Sequence, residues 1–177
     1  MPKRKTISFF LAFILIVNCS FYVPSQKNND KEYALKAAFI YHFTQYIEWP
    51  NNDNYKFNIK VLGPSPLVVQ LLVVAENKTV NNKPISIVQI DDLNELGSCQ
   101  ILYIPKNSGY TLESVLAAIG NRNILVITEQ EGYCAKGAHI NMLVVGNKLR
   151  FEVNLKSATN SGLKVSSELL QHATVLN

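Results

Sequence analysis

The side chains in this sequence that could bind a metal, transfer a proton or form a disulfide are its three histidines and two of its three cysteines. His42, His139 and His172 are far apart, and no His-x-x-x-His or Cys-x-x-Cys spacing connects them with Cys99 or Cys134. Zinc sites normally use such spacings. The sequence therefore predicts no metal site, and His42 is interpreted as an imidazole that packs or hydrogen-bonds within a helix.

Enzymes of the common α/β classes carry loop motifs that are absent here. The sequence has no Gly-x-Ser-x-Gly nucleophile elbow, no Gly-x-Gly-x-x-Gly and no P-loop. The nearest segment, residues 63–66 (GPSP), offers one glycine, and its two prolines supply no amide donor to a phosphate. We interpret it as a capped helix start and expect a protein without catalytic activity or a cofactor.

The two cysteines can be tested against strand geometry. Cys99 lies at the start of one predicted strand, and Cys134 lies beyond the end of the next. If these strands are parallel, the two residues are at opposite edges of the sheet, about 17 Å apart for a strand of about five residues. A disulfide needs Cα atoms within ~7 Å. We predict that Cys99 and Cys134 do not pair within one chain; free thiols or an intermolecular bridge stay open.

The N terminus indicates export. Three basic residues at positions 3–5 precede an apolar run at 7–17. This run has about half of the ~20 residues that a membrane-spanning helix needs, which is typical of a secretory signal. We expect residues 1–25 to be a cleaved signal peptide and residues 26–177 to form a single domain. An acylated lipoprotein with its lipid on Cys19 is the alternative.

Composition supports one core and argues against nucleic acid. Hydrophobic residues make up 47% of the chain, and about 150 residues can bury roughly 68–70% of the unfolded surface. Without the three basic residues of the signal, the formal net charge falls from +4 to +1. A nucleic-acid-binding domain would need a stronger basic patch.

The order of predicted elements indicates an α/β layer architecture. Apolar runs and turn residues predict a β-α-β-β-α-β succession, with strands at 56–62, 85–90, 101–104 and 124–128 and helices at 66–76 and 111–119. Such an order implies parallel pairing. Residues 139–145 and 149–155 then predict an antiparallel hairpin, and Asn154 and Ser166 each open a short helix. We expect a Rossmann-like mixed sheet flanked by helices, with a C-terminal antiparallel hairpin and short terminal helices.

Residues 34–50 predict a helix with almost no polar face, which Pro50 ends. One apolar stripe runs along Leu35, Ala38, Phe39, His42 and Tyr46, and the opposite side is also largely apolar. Such a helix must be covered on several sides. Trp49 at its end is either a core residue or a binding residue, since tryptophan is frequent at binding hot spots.

The hairpin offers a candidate recognition patch. Along residues 149–155, side chains alternate between the two faces of the strand, so that Arg150 and Glu152 point the same way. A guanidinium and a carboxylate on one face suit polar recognition. A solvated face or an internal ion pair is the alternative interpretation.

Seven segments, in this order and spacing, resemble the YfiR family of bacterial periplasmic proteins. They are residues 35–50 (LKAAFIYHFTQYIEWP), 63–66 (GPSP), 83–85 (KPI), 99–104 (CQILYI), 124–128 (ILVIT), 149–155 (LRFEVNL) and 161–170 (SGLKVSSELL). The resemblance extends over essentially the whole mature chain. It implies a Rossmann-like α/β domain that regulates by contact rather than by catalysis.

The resemblance also implies partners. Its best-understood members repress a diguanylate cyclase of the inner membrane, and a peptidoglycan-associated lipoprotein of the outer membrane sequesters them. By this analogy we expect a homodimer and partner contacts by Glu152, Arg150 and Ile140. Disulfides that relatives form are not expected here, because this chain lacks the usual additional cysteines. The alternative function is a small-molecule-binding domain of an envelope sensing or uptake system, with its ligand at the C-terminal edge of the sheet.

Overall fold

The computed structural model describes residues 26–50 and 54–176, with side chains from residue 29 onward. The predicted signal peptide at 1–25 and Cys19 lie outside these residues. Within the described ranges, each helix is too short or too polar to cross a lipid bilayer.

Five α-helices and ten strands make up the described chain. In chain order they are α1 (Gln26–Tyr46), β1 (Ile47–Glu48), β2 (Phe57–Leu62), α2 (Leu67–Asn77), β3 (Thr79–Val80), β4 (Lys83–Ile90), a 3-10 turn (Leu93–Glu95), β5 (Ile101–Ile104), α3 (Leu112–Ile119), β6 (Leu125–Thr128), β7 (Ile140–Val145), β8 (Lys148–Asn154), α4 (Leu155–Asn160), β9 (Lys164–Val165), α5 (Ser167–Leu170) and β10 (Thr174–Leu176).

Eight of the strands form one mixed sheet in the order β10-β8-β7-β6-β5-β2-β4-β3. Strands β4, β2, β5, β6 and β7 are parallel, whereas β8 returns antiparallel to β7. The first strand of the parallel set, β2, has β4 on one side and β5 on the other. The mixed α/β class predicted from the sequence is therefore confirmed. In such sheets, the crevice beside the first strand at the carboxyl ends is where ligands commonly bind.

Helices cover both faces of this sheet. One hydrophobic core joins alternate residues of the strands to α1 and α2, with Phe43, Phe57 and Leu71 at 1% exposed or less. A second core packs α3 on the other face through Leu112 and Val115. Strands β5 and β6 are buried on both faces, as expected for central parallel strands.

Short local signals place the element ends where the sequence predicts them. The Ser65 hydroxyl accepts a hydrogen bond from the Leu67 amide at the start of α2 (3.2 Å), and the side chains of Thr111, Asn154 and Ser166 accept amide hydrogen bonds at the starts of α3, α4 and α5. The hairpin turn holds Gly146 and Asn147 at positive φ (55° and 61°), a conformation that matches the twist of the two strands.

The end of the long helix is a correction to the prediction. Helix α1 stops at Tyr46 rather than at Pro50, because Ile47 and Glu48 leave it to pair antiparallel with Val165 and Lys164 of β9. The Ser166 amide also donates to the Tyr46 carbonyl (2.9 Å). Trp49 therefore follows a short strand and does not end a helix. Strands β3, β9 and β10, each two or three residues long, were not predicted.

A buried ion pair ties α1 to the carboxyl end of β6. Lys36 is 3% exposed, and its ammonium contacts the carboxylate of Glu129 and that of Glu32 (2.6 Å), with the Tyr33 ring beneath it (4.7 Å to the centroid). The other oxygen of Glu129 accepts a hydrogen bond from the Lys106 amide (3.0 Å). Burial alone would lower the pKa of Lys36, but its two carboxylate partners offset this and hold the pKa above its ordinary value. The pair therefore stays charged.

We expect Lys36→Met to lower the free energy of unfolding by about 3–5 kcal/mol, because it leaves the Glu129 carboxylate buried without its cation. Replacing both residues, in Lys36→Met/Glu129→Leu, should recover much of this loss. Lys164→Met is the matched control, since its contact with Glu48 (3.4 Å) joins side chains that are 79% and 76% exposed. Chemical denaturation at neutral pH measures all three variants. Equal losses for Lys36→Met and Lys164→Met would contradict the role given to the buried pair.

Candidate partner-binding surface

Glu152 lies on β8 directly opposite Asn141 of β7 and is half-buried. The Asn141 amide donates to a Glu152 carboxylate oxygen (3.1 Å), and Asn141 itself is fully buried. The amide oxygen of Asn141 has no hydrogen-bond partner among the described residues. Glu152 is thus held within the sheet by Asn141, so only part of its carboxylate is accessible. This agrees more with the internal interpretation than with a free recognition patch.

Arg150 and Ile140 differ sharply in accessibility. Arg150 is exposed on β8, opposite Leu143. Ile140 is 1% exposed and belongs to the core, opposite Val153. The side chain of Ile140 therefore does not reach a partner in this structure. The expected contact at Ile140 is corrected to a packing role, because the core face of β7 includes this residue.

Trp49 is half-buried and supports the core near the amino end of β5. Its indole N–H donates to the Gln100 carbonyl (2.9 Å), and its ring meets Phe57 edge to face at 5.0 Å. A cavity of about 160 Å³ borders it, lined also by Gly97, Cys99 and Arg122 among others. The indole has both its polar and its apolar contacts inside the chain, as expected of a core tryptophan.

An apolar groove runs between α1, β8 and α5, and we call it the α1 groove. Its volume is about 620 Å³. The lining residues are Leu35, Ala38, Phe39, His42, Phe43, Tyr46, Leu149, Arg150, Phe151, Leu169 and His172. The apolar stripe that the sequence predicts along α1 is therefore one wall of this groove and is not fully covered: Leu35 is 45% exposed and Tyr46 is 36% exposed.

Three phenylalanines form a rigid floor beneath the groove. Phe151 packs against Phe39 and Phe43, with ring centroids 5.8 Å and 5.2 Å apart, and those two rings are 6.1 Å apart. Tilted and edge-to-face contacts of this kind stabilise aromatic clusters beyond their burial alone. The groove thus has a preformed base.

Two of the three histidines line the α1 groove. His42 is exposed and stacks on Tyr46 of the same helix with ring centroids 6.4 Å apart, which agrees with the interpretation of a packed imidazole. His172 lines the same groove as His42, although the two are on different elements. In the described part of the chain, no group of three or more His, Cys, Asp or Glu residues is placed to hold a metal ion.

His139 is buried and hydrogen-bonds both to β6 and to the segment after α4. Its Nδ1 accepts a hydrogen bond from the Val126 amide (2.9 Å), so the neutral ring carries its proton on Nε2, which donates to the Ser161 hydroxyl (3.0 Å). The residue is 1% exposed, and burial lowers the pKa of His139 to about 4. The fold requires the neutral form.

Cys99 and Cys134 are free and buried. The parallel pairing of β5 with β6, which the geometric argument assumed, is present. Burial raises the pKa of each thiol to about 12, and the charge of Glu152 adds to this effect at Cys134. Neither cysteine is therefore an activated nucleophile.

A polar crevice opens at the carboxyl ends of the parallel strands and holds about 490 Å³. The loops after β2, β5 and β6 line it, together with α1 and β7; among the lining residues are Glu32, Lys36, Ser65, Lys106, Glu129, Glu131 and Leu143. Only weak sequence signals point to this cluster, namely the four-residue spacing of Glu32 and Lys36 and the position of Glu129 directly after a strand.

A buried hydroxyl lies close to the crevice. Tyr103 is fully buried, and its hydroxyl has no hydrogen-bond partner of regular geometry among the described residues, although the Glu129 carboxylate is close enough to affect its pKa. Burial raises the pKa of Tyr103 far above its ordinary value, followed in effect by the negative charge of Glu129. The Glu129 carboxylate, which lines the crevice, therefore lies near a neutral phenol.

We expect the pH dependence of stability to reflect the protonation of His139. Because its pKa is lowered from 6.5 to about 4, its stabilising contribution is complete above pH 6.5 and is lost as the pH falls towards 4. At about 1.36 kcal/mol per pKa unit the loss reaches roughly 3 kcal/mol. Denaturation curves at several pH values should show a shallower acid loss in His139→Gln than in the wild type. The exposed-site control His42→Gln should follow the wild type; a wild-type slope in His139→Gln would refute the assignment.

Comparison with models of known protein families shows which family the chain is related to. The family model described as YfiR/HmsC-like matches residues 33–174, which include every element from within α1 to the start of β10. This match covers most of the chain, and it includes the α1 groove, the hairpin and all of the residues named at the crevice except Glu32. The chain belongs to the YfiR/HmsC-like family.

Proposed function

We propose that this protein is a periplasmic regulator that represses an inner-membrane diguanylate cyclase through protein contact, and so controls cyclic-di-GMP signalling. The observation that carries the proposal is the family match over residues 33–174, since regulation in the periplasm is the role of this family. An exported chain is in keeping with the signal expected at residues 1–25. No catalytic step is part of the proposal.

The surface of the chain supports regulation by contact. The α1 groove combines a rigid aromatic floor with exposed apolar side chains, which is the usual composition of the centre of a protein interface. Arg150 borders the groove, and its exposed side chain leaves β8 on the face opposite Phe151, where a charged group suits specific recognition. Glu152 is on the same strand and contributes a partly accessible carboxylate. We assign partner contact to Arg150 first and to Glu152 second.

We expect Arg150→Glu to abolish repression while the fold is kept, because Arg150 is exposed. Glu152→Gln removes the charge of Glu152 but retains an oxygen that can accept from Asn141, so a smaller loss of repression is expected. Each variant is expressed in a strain that lacks the wild-type gene, and cellular cyclic-di-GMP is measured. Lys156→Glu on α4 makes the same change of charge at another exposed position and is the matched control.

The strain that lacks the gene tests the cyclase proposal directly. If the strain without the gene has an unchanged cyclic-di-GMP level, the cyclase proposal fails. If Lys156→Glu raises the level as much as Arg150→Glu does, the effect comes from net charge and not from the surface at Arg150. Affinity capture from envelope extracts identifies the partner directly. It also tests the two further proposals, a homodimer and sequestration by an outer-membrane peptidoglycan-associated lipoprotein.

A second candidate function, small-molecule sensing, is favoured by the crevice alone. The crevice lies at the carboxyl ends of the parallel strands beside β2, and its volume of about 490 Å³ is in the range of small-ligand sites. It presents carboxylates of Glu32 and Glu131 together with the ammonium of Lys106. A small zwitterion, such as a free amino acid, matches both signs of charge.

For this second candidate, thermal unfolding is followed with a panel of free amino acids as probes. A ligand present at about a hundredfold above its Kd should raise the free energy of unfolding by about 2.7 kcal/mol. The effect should be lost in Lys106→Glu, whose exposed side chain can change without disturbing the amide that binds Glu129, and kept in Lys156→Glu. The sensing candidate fails if no amino acid stabilises the wild type, or if both variants respond alike.

A further inference from the structure

We infer that two copies of this chain pair through the outer edge of β4, antiparallel and across a two-fold axis, so that their sheets join. The inference names the surface of the homodimer that accompanies the proposed function, and it rests on that function only for its biological meaning. Its physical basis is the open main-chain edge of β4 and the charges at the two ends of that edge.

The outer edge of β4 is open over most of its length. Strand β2 pairs with β4 over residues 85–90, whereas β3 covers the other side only at Lys83 and Pro84. Proteins usually protect such an edge with charged residues, proline, a bulge or a covering element. Residues 85–90 (ISIVQI) contain no charged residue and no proline. A further strand is therefore the natural cover for this stretch.

The free main-chain groups of the edge can be assigned from one hydrogen bond. The Gly63 amide donates to the Ile90 carbonyl (2.8 Å), so the main chain of Ile90 faces β2. Main-chain groups of successive residues alternate between the two sides of a strand, and those of Ile87 and Gln89 therefore face outward. These groups have no hydrogen-bond partner among the described residues. An extended main chain is the occupant that fits them.

An antiparallel register centred on Ile87 pairs the free groups of both copies. Ile87 then lies opposite Ile87 of the other copy, and Gln89 lies opposite Ile85. The outward amides of Ile87 and Gln89 in both copies gain carbonyl acceptors, which gives about four intermolecular hydrogen bonds. The two Val88 side chains, each 42% exposed in the single chain, become diagonal neighbours on one face of the joined sheet.

The charges at the ends of the edge select a second copy. The register of β3 against β4 places the exposed Lys78 beside Ile85, and the exposed Asp91 follows Ile90 at the other end. Antiparallel pairing sets the basic end of each copy against the acidic end of the other, so the attraction is present twice. A second copy always carries this arrangement in reverse, and the contact closes at two chains. The strand of an unrelated protein has no such built-in match.

Sedimentation velocity over a range of concentrations tests the edge. Gln89→Pro removes an outward amide but no hydrogen bond to β2, so it should raise the Kd of the dimer at least about tenfold. Gln89→Ala keeps the amide and should leave the Kd unchanged. Chemical denaturation verifies that both variants are folded. A wild type that stays monomeric at every concentration, or an unchanged Kd in Gln89→Pro, overturns the inference.

A second matched pair of variants needs no proline. Val88→Lys places a charge on the edge, which is a common natural protection against strand pairing, and should also raise the Kd at least about tenfold. Val69→Lys on α2 makes the same change away from the edge and should leave the Kd unchanged. Val88 and Val69 are 42% and 61% exposed, so the fold accepts lysine at both positions. Equal effects of the two variants overturn the inference.

A charge exchange tests the antiparallel arrangement. Lys78→Glu and Asp91→Lys should each raise the Kd about threefold to tenfold, because each brings like charges together across the axis. The double variant Lys78→Glu/Asp91→Lys should return to within about twofold of the wild type, since the attraction is restored in reverse. A double variant that dimerises no better than either single variant overturns the inference.

The outcome is separable from the cyclase proposal. A monomeric Val88→Lys that still represses in cells would keep the cyclase contact and show that repression does not need the dimer. A dimer that depends on this edge, together with an unchanged cyclic-di-GMP level in the deletion strain, would keep the inference and reject the cyclase. A monomeric wild type that captures an envelope protein, which Val88→Lys loses, would place a foreign strand on the edge and overturn the inference.

Discussion

The placement of α1 depends on the buried contact between Lys36 and Glu129. Because α1 is apolar on both sides, hydrophobicity alone does not decide which side packs on the sheet. A lysine that is 3% exposed must keep its carboxylate partner, since the loss of that partner leaves an uncompensated charge in the interior. Each residue turns the helix by about 100°, so directing Lys36 to Glu129 places Ala37, Ile40 and Phe43 on the core. The opposite stripe is then left to form the groove.

Helix α1 therefore contributes side chains to two different surfaces. Lys36 and Tyr33 of α1 line the crevice at the carboxyl ends of the strands, and Leu35 and Tyr46 of the same helix line the α1 groove. The family relationship gives the chain a regulatory context, and the structure has two concave surfaces of different composition. The groove is lined mainly by apolar and aromatic side chains, and the crevice is lined by charged side chains of both signs. The two surfaces therefore suit ligands of different chemistry.

Elements with local signals could be predicted from the sequence, and elements that depend on distant partners could not. The helix starts after Thr111, Asn154 and Ser166 follow from side chains that cap the next amides, and the Ser65 hydroxyl accepts from the Leu67 amide just before α2. By contrast, β1 exists because β9 pairs with it across more than a hundred residues, and no local pattern marks either strand. The end of α1 was wrong for this reason.

The same distinction applies to the candidate site. Alternation along β8 correctly placed Phe151 and Val153 inside and Arg150 outside. It could not show that Asn141 would engage Glu152, or that Ile140 would be a core residue, because both facts depend on the register of β7 against β8. The Lys36 and Glu129 contact joins residues 93 positions apart, which a reading of local periodicity does not detect.

The two buried thiols have a consequence for the maturation of the chain. Exchange reactions proceed through the thiolate, which is scarce when the thiol pKa is about 12, so folded Cys99 and Cys134 are inert towards oxidants. In the unfolded chain both thiols have ordinary acidity and are open to attack. In an oxidising compartment, folding therefore competes with oxidation, and any change that slows the burial of β5 would show itself as covalent oligomers on a non-reducing gel.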